Sequence, residues 1–310
     1  MGSTLCVRNA DGPPLAPPTA PSRSFHRRQL PAPAVEFSST EGQRIFAEAL
    51  AAGTMGSFFR LIEQFHTQDE PAFCGLGTLT MVLNSLNVDP GKTWKGPWRW
   101  FHEGMLDCCE PLDKVKQQGI TWSSFLCLAR CNGAYVEAHR AAETGGDIET
   151  FRRLVRCVTE QIIGSAQEEE QGLKVLVVSY SRKQFGQTGD GHYSPIGGYH
   201  APSDRILVLD VARFKHPPHW VPLSEMHASM QRLDPDTGRS RGFILLTKKR
   251  GHGSWFSLTL KAPHAASCCN GGSGGTLENL ELAFAKAVRG ALAKPPRGDG
   301  GTTALVSEVL

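Results

Sequence analysis

Residues 68 to 79, Gln-Asp-Glu-Pro-Ala-Phe-Cys-Gly-Leu-Gly-Thr-Leu, place a cysteine where a loop turns into an apolar helix. Pro71 and the small residues after it mark the loop. Leu76, Leu79, Val82, Leu83 and Leu86 then recur at helical spacing. Cys74 falls at the helix N-terminus, where unpaired N–H groups and the helix dipole favour a thiolate. Gln68, six positions upstream, is expected to fold back and offer its side-chain amide beside those N–H groups. That pairing would make an oxyanion hole. The stretch has the form of a nucleophile in its cradle.

A cysteine nucleophile needs a base, and the base needs an orienting group. His192 lies in Gly-Asp-Gly-His-Tyr-Ser-Pro, and Asp210 ends the apolar run Arg-Ile-Leu-Val-Leu-Asp. The gaps are 118 residues from Cys74 to His192 and 18 from His192 to Asp210. A cysteine helix followed by a histidine and an orienting residue on neighbouring strands is the papain-like order. Two adjacent antiparallel strands can present His192 and Asp210 side by side. Spacing alone leaves other readings open: a cysteine opening an apolar helix is often a small core residue, and an aspartate at a strand end is often a turn former.

The remainder of the chain sorts into an α+β domain. Thr40 starts a capping box with Gln43, ahead of a helix that Gly53 stops. A short helix carrying Phe58 to Phe65, the Cys74 helix ending near Asp89-Pro90-Gly91, and helical patterns at 123 to 132 and Ile148 to Ile163 follow. Three glutamates at 168 to 170 read as a solvated loop. From Lys174 the pattern is β, at 175 to 178, 192 to 199, 205 to 212 and Arg241 to Lys248. Helices first and strands afterwards predict an antiparallel sheet rather than a doubly wound one. The domain is expected over residues 36 to 250. Residues 1 to 35, with seven of the chain's 20 prolines, read as a disordered leader, and 251 to 310 as a short variable tail with one helix at Leu277 to Leu292.

With a net charge of +3 spread along the chain, nucleic acid is not an expected partner, and no apolar run has the length of a membrane span. Nine cysteines without a secretory signal point to a reducing compartment and free thiols. A cytoplasmic setting is expected, or a plastid if the leader is a transit peptide.

Longer motifs narrow the function. Gln68-Asp-Glu-Pro-Ala-Phe-Cys-Gly, Trp94-Lys-Gly-Pro-Trp-Arg-Trp-Phe, Leu106-Asp-Cys-Cys-Glu-Pro, Gln187-Thr-Gly-Asp-Gly-His-Tyr-Ser-Pro-Ile-Gly-Gly-Tyr, Leu209-Asp-Val-Ala-Arg-Phe-Lys and His216-Pro-Pro-His-Trp-Val-Pro-Leu run in this order. Together they resemble phytochelatin synthase, from about Val35 to Thr247. The resemblance implies a papain-like fold and a γ-glutamylcysteine dipeptidyl transferase acting on glutathione, metal–glutathione complexes and phytochelatins. On that reading Cys74 attacks the Cys–Gly amide, His192 is base and then acid, Asp210 orients it, and Gln68 with the Cys74 N–H holds the oxyanion. No tightly bound organic cofactor is implied. Heavy metals (Cd²⁺, Zn²⁺ or copper) are expected to activate chiefly as glutathione thiolates. The family often has tyrosine before the nucleophile; Phe73 here lacks that hydroxyl. Plant-type members also carry a longer cysteine-rich C-terminal region, whereas here only Cys268-Cys269 and the expected helix follow the domain.

Transfer requires an acceptor site, and acceptor carboxylates want cations. Arg182, Arg213 and Lys215 are the candidates; Arg213 and Lys215 alternate along an expected strand and so share a face. Ordinary ion-pair duty is their competing reading. Cys127 and Cys131, four apart on a helix, and the adjacent Cys108 and Cys109 form a candidate soft-metal set, with buried helical cysteines as the alternative. Two other functions stay in view: a hydrolase of the same fold that releases glycine without transfer, and a thiol-rich metal sensor. A homodimer is also left open.

Overall fold

The strand Lys174–Ser181 shows how the domain is layered. Val175 and Val177 face one core, and Leu176, Val178 and Tyr180 face another. Side chains alternate along a strand, so a run apolar at every position belongs to a sheet covered on both faces. A computed structural model describes residues 25–165 and 172–249. The expectations for residues 1–24, for the three glutamates at 168–170 and for the tail from 250, including Cys6, Cys268, Cys269 and the helix at Leu277–Leu292, lie outside the described residues.

Seven strands, β1 (Val35–Glu36), β2 (Ala134–Arg140), β3 (Lys174–Ser181), β4 (Gly191–His200), β5 (Arg205–Val208), β6 (His219–Pro222) and β7 (Gly242–Lys248), form one sheet in the order β1-β6-β5-β4-β3-β7-β2. Every pairing is antiparallel. Seven helices among the described residues cover it: α1 (Thr40–Ala51), α2 (Gly56–Ile62), α3 (Cys74–Ser85), α4 (Leu112–Gln118), α5 (Trp122–Cys131), α6 (Ile148–Thr159) and α7 (Leu223–Gln231). One core gathers Ile45, Leu61, Leu76, Leu79, Leu83 and Phe125 from the first helices onto Val175, Val177 and Ile244. The other packs Phe151, Val155, Leu223 and Met226 against Leu176, Val178 and Phe243.

The α+β expectation, with the nucleophile helix packed against an antiparallel sheet, is therefore borne out. The segregation of helices before strands is not. β2 precedes α6, and α7 interrupts the strands. Strand 205–212 also stops early, at Val208. Residues 211–215 form a turn in which the Lys215 N–H donates to the Ala212 carbonyl at 2.8 Å.

Helix starts follow side-chain chemistry. Ser39, one residue before the expected Thr40, caps α1 by accepting the Gly42 N–H at 3.0 Å. Gln43 reaches the Ser38 carbonyl at 2.8 Å. Asp147 caps α6 through the N–H groups of Glu149 and Thr150. The helix α3 differs: ten of its twelve residues are buried and no side chain caps it. A helix apolar all round has to be enclosed. With each fully buried leucine contributing roughly 1.5–3 kcal/mol, α3 is a fixed post. Before α1, the Arg28 N–H donates to the Lys215 carbonyl at 3.0 Å and β1 pairs with β6, so residues within the expected leader contact the sheet side of the domain.

Candidate active site

Cys74 is the first residue of α3, partly buried, with its backbone N–H among those a helix leaves without an intrahelical partner. The turn before it is drawn tight, for the Phe73 N–H donates to the Glu70 carbonyl at 2.9 Å. A hydrogen bond adds to the apolar packing of the nucleophile helix on the sheet: the Thr78 hydroxyl donates to the Tyr193 carbonyl at 3.0 Å, both groups buried. Tyr193 follows His192 on β4. The helix is thereby fixed against the residue next to the base.

His192 and Asp210 meet across neighbouring strands. His192 stands near the start of β4, Asp210 two residues past the end of β5, and β4 and β5 pair antiparallel. The His192 Nε2 lies 2.7 Å from Asp210 Oδ1. Cys74 feels the same imidazole, for His192 is the largest influence lowering its thiol. With Nε2 given to the carboxylate, Nδ1 is the ring nitrogen left for the sulfur. Tyr180, paired with His192 across the β3–β4 ladder, sets its ring edge-on to the imidazole at 5.6 Å and 84°. The structure thus brings Cys74, His192 and Asp210 to one place.

Its electrostatics favour the thiolate and the imidazolium over the neutral pair's ordinary balance. Burial pushes the Cys74 thiol up, but the His192 charge and hydrogen bond, a backbone hydrogen bond from Tyr193 and the Arg182 charge outweigh it, so the thiol titrates below its ordinary value. Burial and Arg182 push His192 down; Asp210 and Cys74 prevail, and the imidazole titrates above its ordinary value. Asp210 would be raised by burial, yet Arg182 and His192 hold it well below the usual carboxylate range. The two shifts draw the thiol and the imidazole toward one another, which favours proton transfer from sulfur to ring. Alkylation of Cys74 by iodoacetamide, followed by peptide mass spectrometry against pH, should show an apparent pKa below that of a free thiol. In His192→Ala the profile should move to higher pH, because the largest lowering influence is gone while burial remains. An unmoved profile would show that His192 does not activate the sulfur.

Arg182 is the residue the sequence misassigned. It opens a short 3₁₀ turn after β3 and is only 2% exposed, leaving its guanidinium no face for an acceptor carboxylate. One nitrogen donates to Asp210 Oδ2 at 2.7 Å, another to Gln187 Oε1 at 2.7 Å. The same nitrogen that reaches Asp210 lies 2.9 Å from His192 Nε2. Arg182 and His192 converge on one carboxylate, which holds the guanidinium and fixes the imidazole plane. Behind them, Gln187 Nε2 approaches His219 Nε2 at 3.5 Å, and His219 Nδ1 binds the Pro217 carbonyl at 2.8 Å. An Nδ1–H on His219 leaves its Nε2 as the acceptor. Nearby His216 is buried with neither ring nitrogen partnered among the described residues, and burial followed by Arg182 pushes it down to about 4.

Gln68 is brought to the foot of α3, but its amide is engaged. Nε2 donates to the carbonyls of Glu70 at 2.7 Å and Pro71 at 3.0 Å, while Oε1 is buried without a partner. In this arrangement Gln68 shapes the loop that delivers Cys74, and the uncapped α3 N–H groups are the donors available to an oxyanion. The approach is close enough to require glycine at 77, where a Cβ would come within 3.2 Å of the Gln68 Cβ and 2.8 Å of Glu103 Oε1. Glu103, from the tryptophan-rich segment, was not foreseen. It is 2% exposed, accepts the Asp69 N–H at 3.0 Å and pairs with His66 at 3.2 Å, pinning the loop before the nucleophile.

The other expected cations separate. Arg213 and Lys215 sit in the turn rather than on a strand, so the alternation argument fails. Arg213 is exposed and stacks over Phe65 at 4.9 Å. Lys215 is half-buried, with burial and then Arg182 lowering its pKa, and it has no ion pair among the described residues. Cys108, Cys109, Cys127 and Cys131 do gather, but between α5 and the loop before α4, apart from the triad. No described cysteine is in a disulfide.

Residues 25–243 match the family model for phytochelatin synthase. The chain belongs to the phytochelatin synthase family. Among curated relatives, glutathione gamma-glutamylcysteinyltransferase 1 of Triticum aestivum is 53% identical over 248 residues, covering 76% of this chain and 47% of that protein. The Schizosaccharomyces pombe glutathione gamma-glutamylcysteinyltransferase is 45% identical over 224 residues, 72% of this chain and 51% of its own. The chain spans about half the length of the curated relatives it matches. A double glycine motif protease from an AMS/PCAT transporter, solved with its leader peptide, aligns at 17% identity and a TM-score of 0.34 over 60% of this chain and 89% of that one, a likeness too slight to add to the fold described above. Phytochelatin synthase membership places Cys74, His192 and Asp210 in a family whose relatives are named for acyl transfer from glutathione.

Proposed function

We propose that this member of the family moves the γ-Glu-Cys group of glutathione, through a thioester on Cys74, to a second glutathione or a growing phytochelatin. The observation that carries the reading is the assembled Cys74–His192–Asp210 set, with its lowered thiol at an uncapped helix N-terminus. The Cys74 thiolate attacks the carbonyl carbon of the Cys–Gly amide, and the α3 N–H groups meet the oxygen as it becomes negative. His192 delivers its proton to the glycine nitrogen, the C–N bond breaks and glycine leaves. The α-amine of the acceptor then attacks the thioester, His192 takes that amine's proton, and the Cys74 sulfur departs as thiolate. If water takes the acceptor's place, the same site is a hydrolase.

Transfer therefore depends on holding an acceptor. Lys215, half-buried and without an ion pair among the described residues, is the cation that remains for an acceptor carboxylate. Heavy metals enter this scheme as part of the substrate, a soft ion holding the glutathione thiol as a thiolate. A cytoplasmic setting, where glutathione is abundant, fits the scheme. The ordered triad supports an enzyme over a sensor, for a chelator has no use for His192 bound to a buried Asp210.

The test incubates the purified full chain with glutathione, with and without Cd²⁺, and follows glycine and peptides by mass spectrometry. Metal-dependent (γ-Glu-Cys)₂-Gly is expected. In Lys215→Ala, oligomer should fall several-fold more than glycine release, since the acceptor carboxylate loses its cation while the donor's chemistry at Cys74 is untouched. Glycine and γ-Glu-Cys with no oligomer from the unmodified chain would establish the hydrolase instead.

A further inference from the structure

Ahead of β1 the chain forms a strap, residues 25–34, held against the domain at three points. The Arg28 N–H donates to the Lys215 carbonyl at 3.0 Å, and Arg205 donates from Nη1 to the Pro33 carbonyl at 2.8 Å. Between them, Pro31 lies so near the 3₁₀ turn that a Cβ on Gly186 would meet its Cβ at 3.7 Å. Apolar burial does not explain the tether. Residues 25 to 29 are all exposed, Phe25 to 72%. Arg27 has a φ of 60°, a left-handed conformation that residues with a side chain seldom adopt. A segment that buries so little yet holds such a backbone points to a use for its side chains.

Those side chains include two cations. Neither Arg27 nor Arg28 has an ion pair among the described residues. The Arg28 guanidinium is instead seated over the Phe25 ring, 3.8 Å from its centroid, which fixes its position without cancelling its charge. Lys215 is the neighbouring cation. Its ammonium lies 3.9 Å from where a Cβ on Gly189 would stand, against the loop that runs into His192, and Arg182 Cδ is 3.7 Å from the same point. Burial and then Arg182 lower the Lys215 pKa, Asp210 and Cys74 oppose them, and Arg28 adds to the lowering. Lys215 thus feels both the strap arginine and the triad sulfur.

The charges of a γ-glutamyl peptide suit this pair of cations. Its α-amine attacks the thioester, so the α-carboxylate on the same carbon comes close to Cys74, on the side of Lys215. Glutathione's other carboxylate is at its glycine end, roughly 10 Å further along an extended tripeptide. One cation cannot meet both. We propose that Arg28, set in place by Phe25, is the second anion-binding group of the acceptor site and takes the acceptor's C-terminal carboxylate. This assignment rests on the transferase reading above and extends it to the segment before β1. Arg28 touches no reacting atom; it selects the acceptor and orients it along the strap.

The test supplies the full chain with equal concentrations of glutathione and its C-terminal amide, together with Cd²⁺, and reads the products by mass spectrometry. The C-terminus of a dimeric product comes from its acceptor, whichever molecule was the donor. The ratio of (γ-Glu-Cys)₂-Gly to its amide therefore reports acceptor choice alone, while released glycine and glycinamide report acylation of Cys74. The unmodified chain should favour the acid acceptor several-fold, the gain typical of an ion pair near the surface. In Arg28→Ala the ratio should fall to near one, in Arg28→Glu the amide should be favoured, and Arg28→Lys should keep most of the preference. Every variant retains the backbone N–H that ties the strap to Lys215, and a loosened strap would lower both products together without moving their ratio. A ratio that is the same in the unmodified chain, Arg28→Ala and Arg28→Glu would overturn the assignment and leave the transferase reading intact. Glycine release with no oligomer from the unmodified chain would overturn the transferase reading, and this assignment with it.

Discussion

Cys74→Ser, supplied with glutathione and Cd²⁺, should release glycine on the order of 10⁴-fold more slowly than the unmodified chain and accumulate no acyl-enzyme. A hydroxyl is geometrically a close substitute, and the argument for so large a loss is electrostatic. His192 and Arg182 together lower a thiol that ordinarily ionises at mildly basic pH; a serine hydroxyl ionises only far above that and stays protonated beside the same groups. Nothing else at the site can take over. Every other described cysteine is remote from His192, in the thiol set at α5 or, as Cys157, on α6. Intact-mass spectrometry provides the check: the unmodified chain should gain the mass of one γ-Glu-Cys, and the variant should not. Glycine release within about tenfold of the unmodified rate in Cys74→Ser would place the nucleophile elsewhere.

Arg182→Met should destabilise the fold by about 3–5 kcal/mol, the cost typical of removing one partner from a buried ion pair. Asp210 is wholly buried, and without the guanidinium its charge would be met only by His192 and the Ala212 N–H, which donates to Oδ1 at 2.9 Å. Urea unfolding should show the loss as a lower midpoint with an unchanged slope. The double variant Arg182→Met/Asp210→Asn should recover much of it, since both charges are then gone, while remaining inactive because His192 loses its carboxylate. Arg182→Lys should not rescue, as one ammonium cannot span Asp210 and Gln187 as the guanidinium fork does. pH adds a sign. With its folded pKa depressed, Asp210 contributes stability that is fully present above its unfolded value, about 3.9, and is lost as pH falls through the folded one. Without Arg182 the folded pKa rises, so acid unfolding should begin at a higher pH. A loss under about 1 kcal/mol, with unaltered acid unfolding, would mean the pair carries no structural load.

The parts of this molecule legible in its sequence are those in which local pattern and tertiary role agree. The apolar run after Cys74 is helical because it is enclosed, and Val175 to Val178 are a strand because both faces are covered. His192 and Asp210 could be paired in advance because neighbouring antiparallel strands put a residue near the start of one beside a residue past the end of the other. β2 escaped because Tyr135, Glu137 and Ala138 are exposed along one edge strand, leaving only Ala134 and Val136 as buried apolar positions. β6 is four residues bounded by prolines, too short to show a period. The helix α7 carried a signal that went unread: Leu223, Met226 and Met230 recur at helical spacing immediately after Pro222. Arg182 was misjudged for another reason. A cation near a catalytic motif looks like a substrate ligand until the chain closes and a carboxylate 28 residues onward claims it. Gln68 likewise had the right address, while its amide hydrogens were already committed to the backbone beside it.

The order of strands carries a consequence for how this domain comes into being. β7, last of the described strands to leave the ribosome, lies between β3 and β2 in the interior of the sheet. Until it arrives, β2 has no strand to pair with, and its ladder to β7 runs from Ala134 to Arg140. The helix bearing Cys74 is synthesised more than a hundred residues before His192 and still longer before that final strand. A nascent chain therefore carries the Cys74 sulfur without its base until the strand bearing His192 has emerged. The sulfur and its base meet only when the helix and the sheet have docked, so that a fast-reacting Cys74 reports a folded domain.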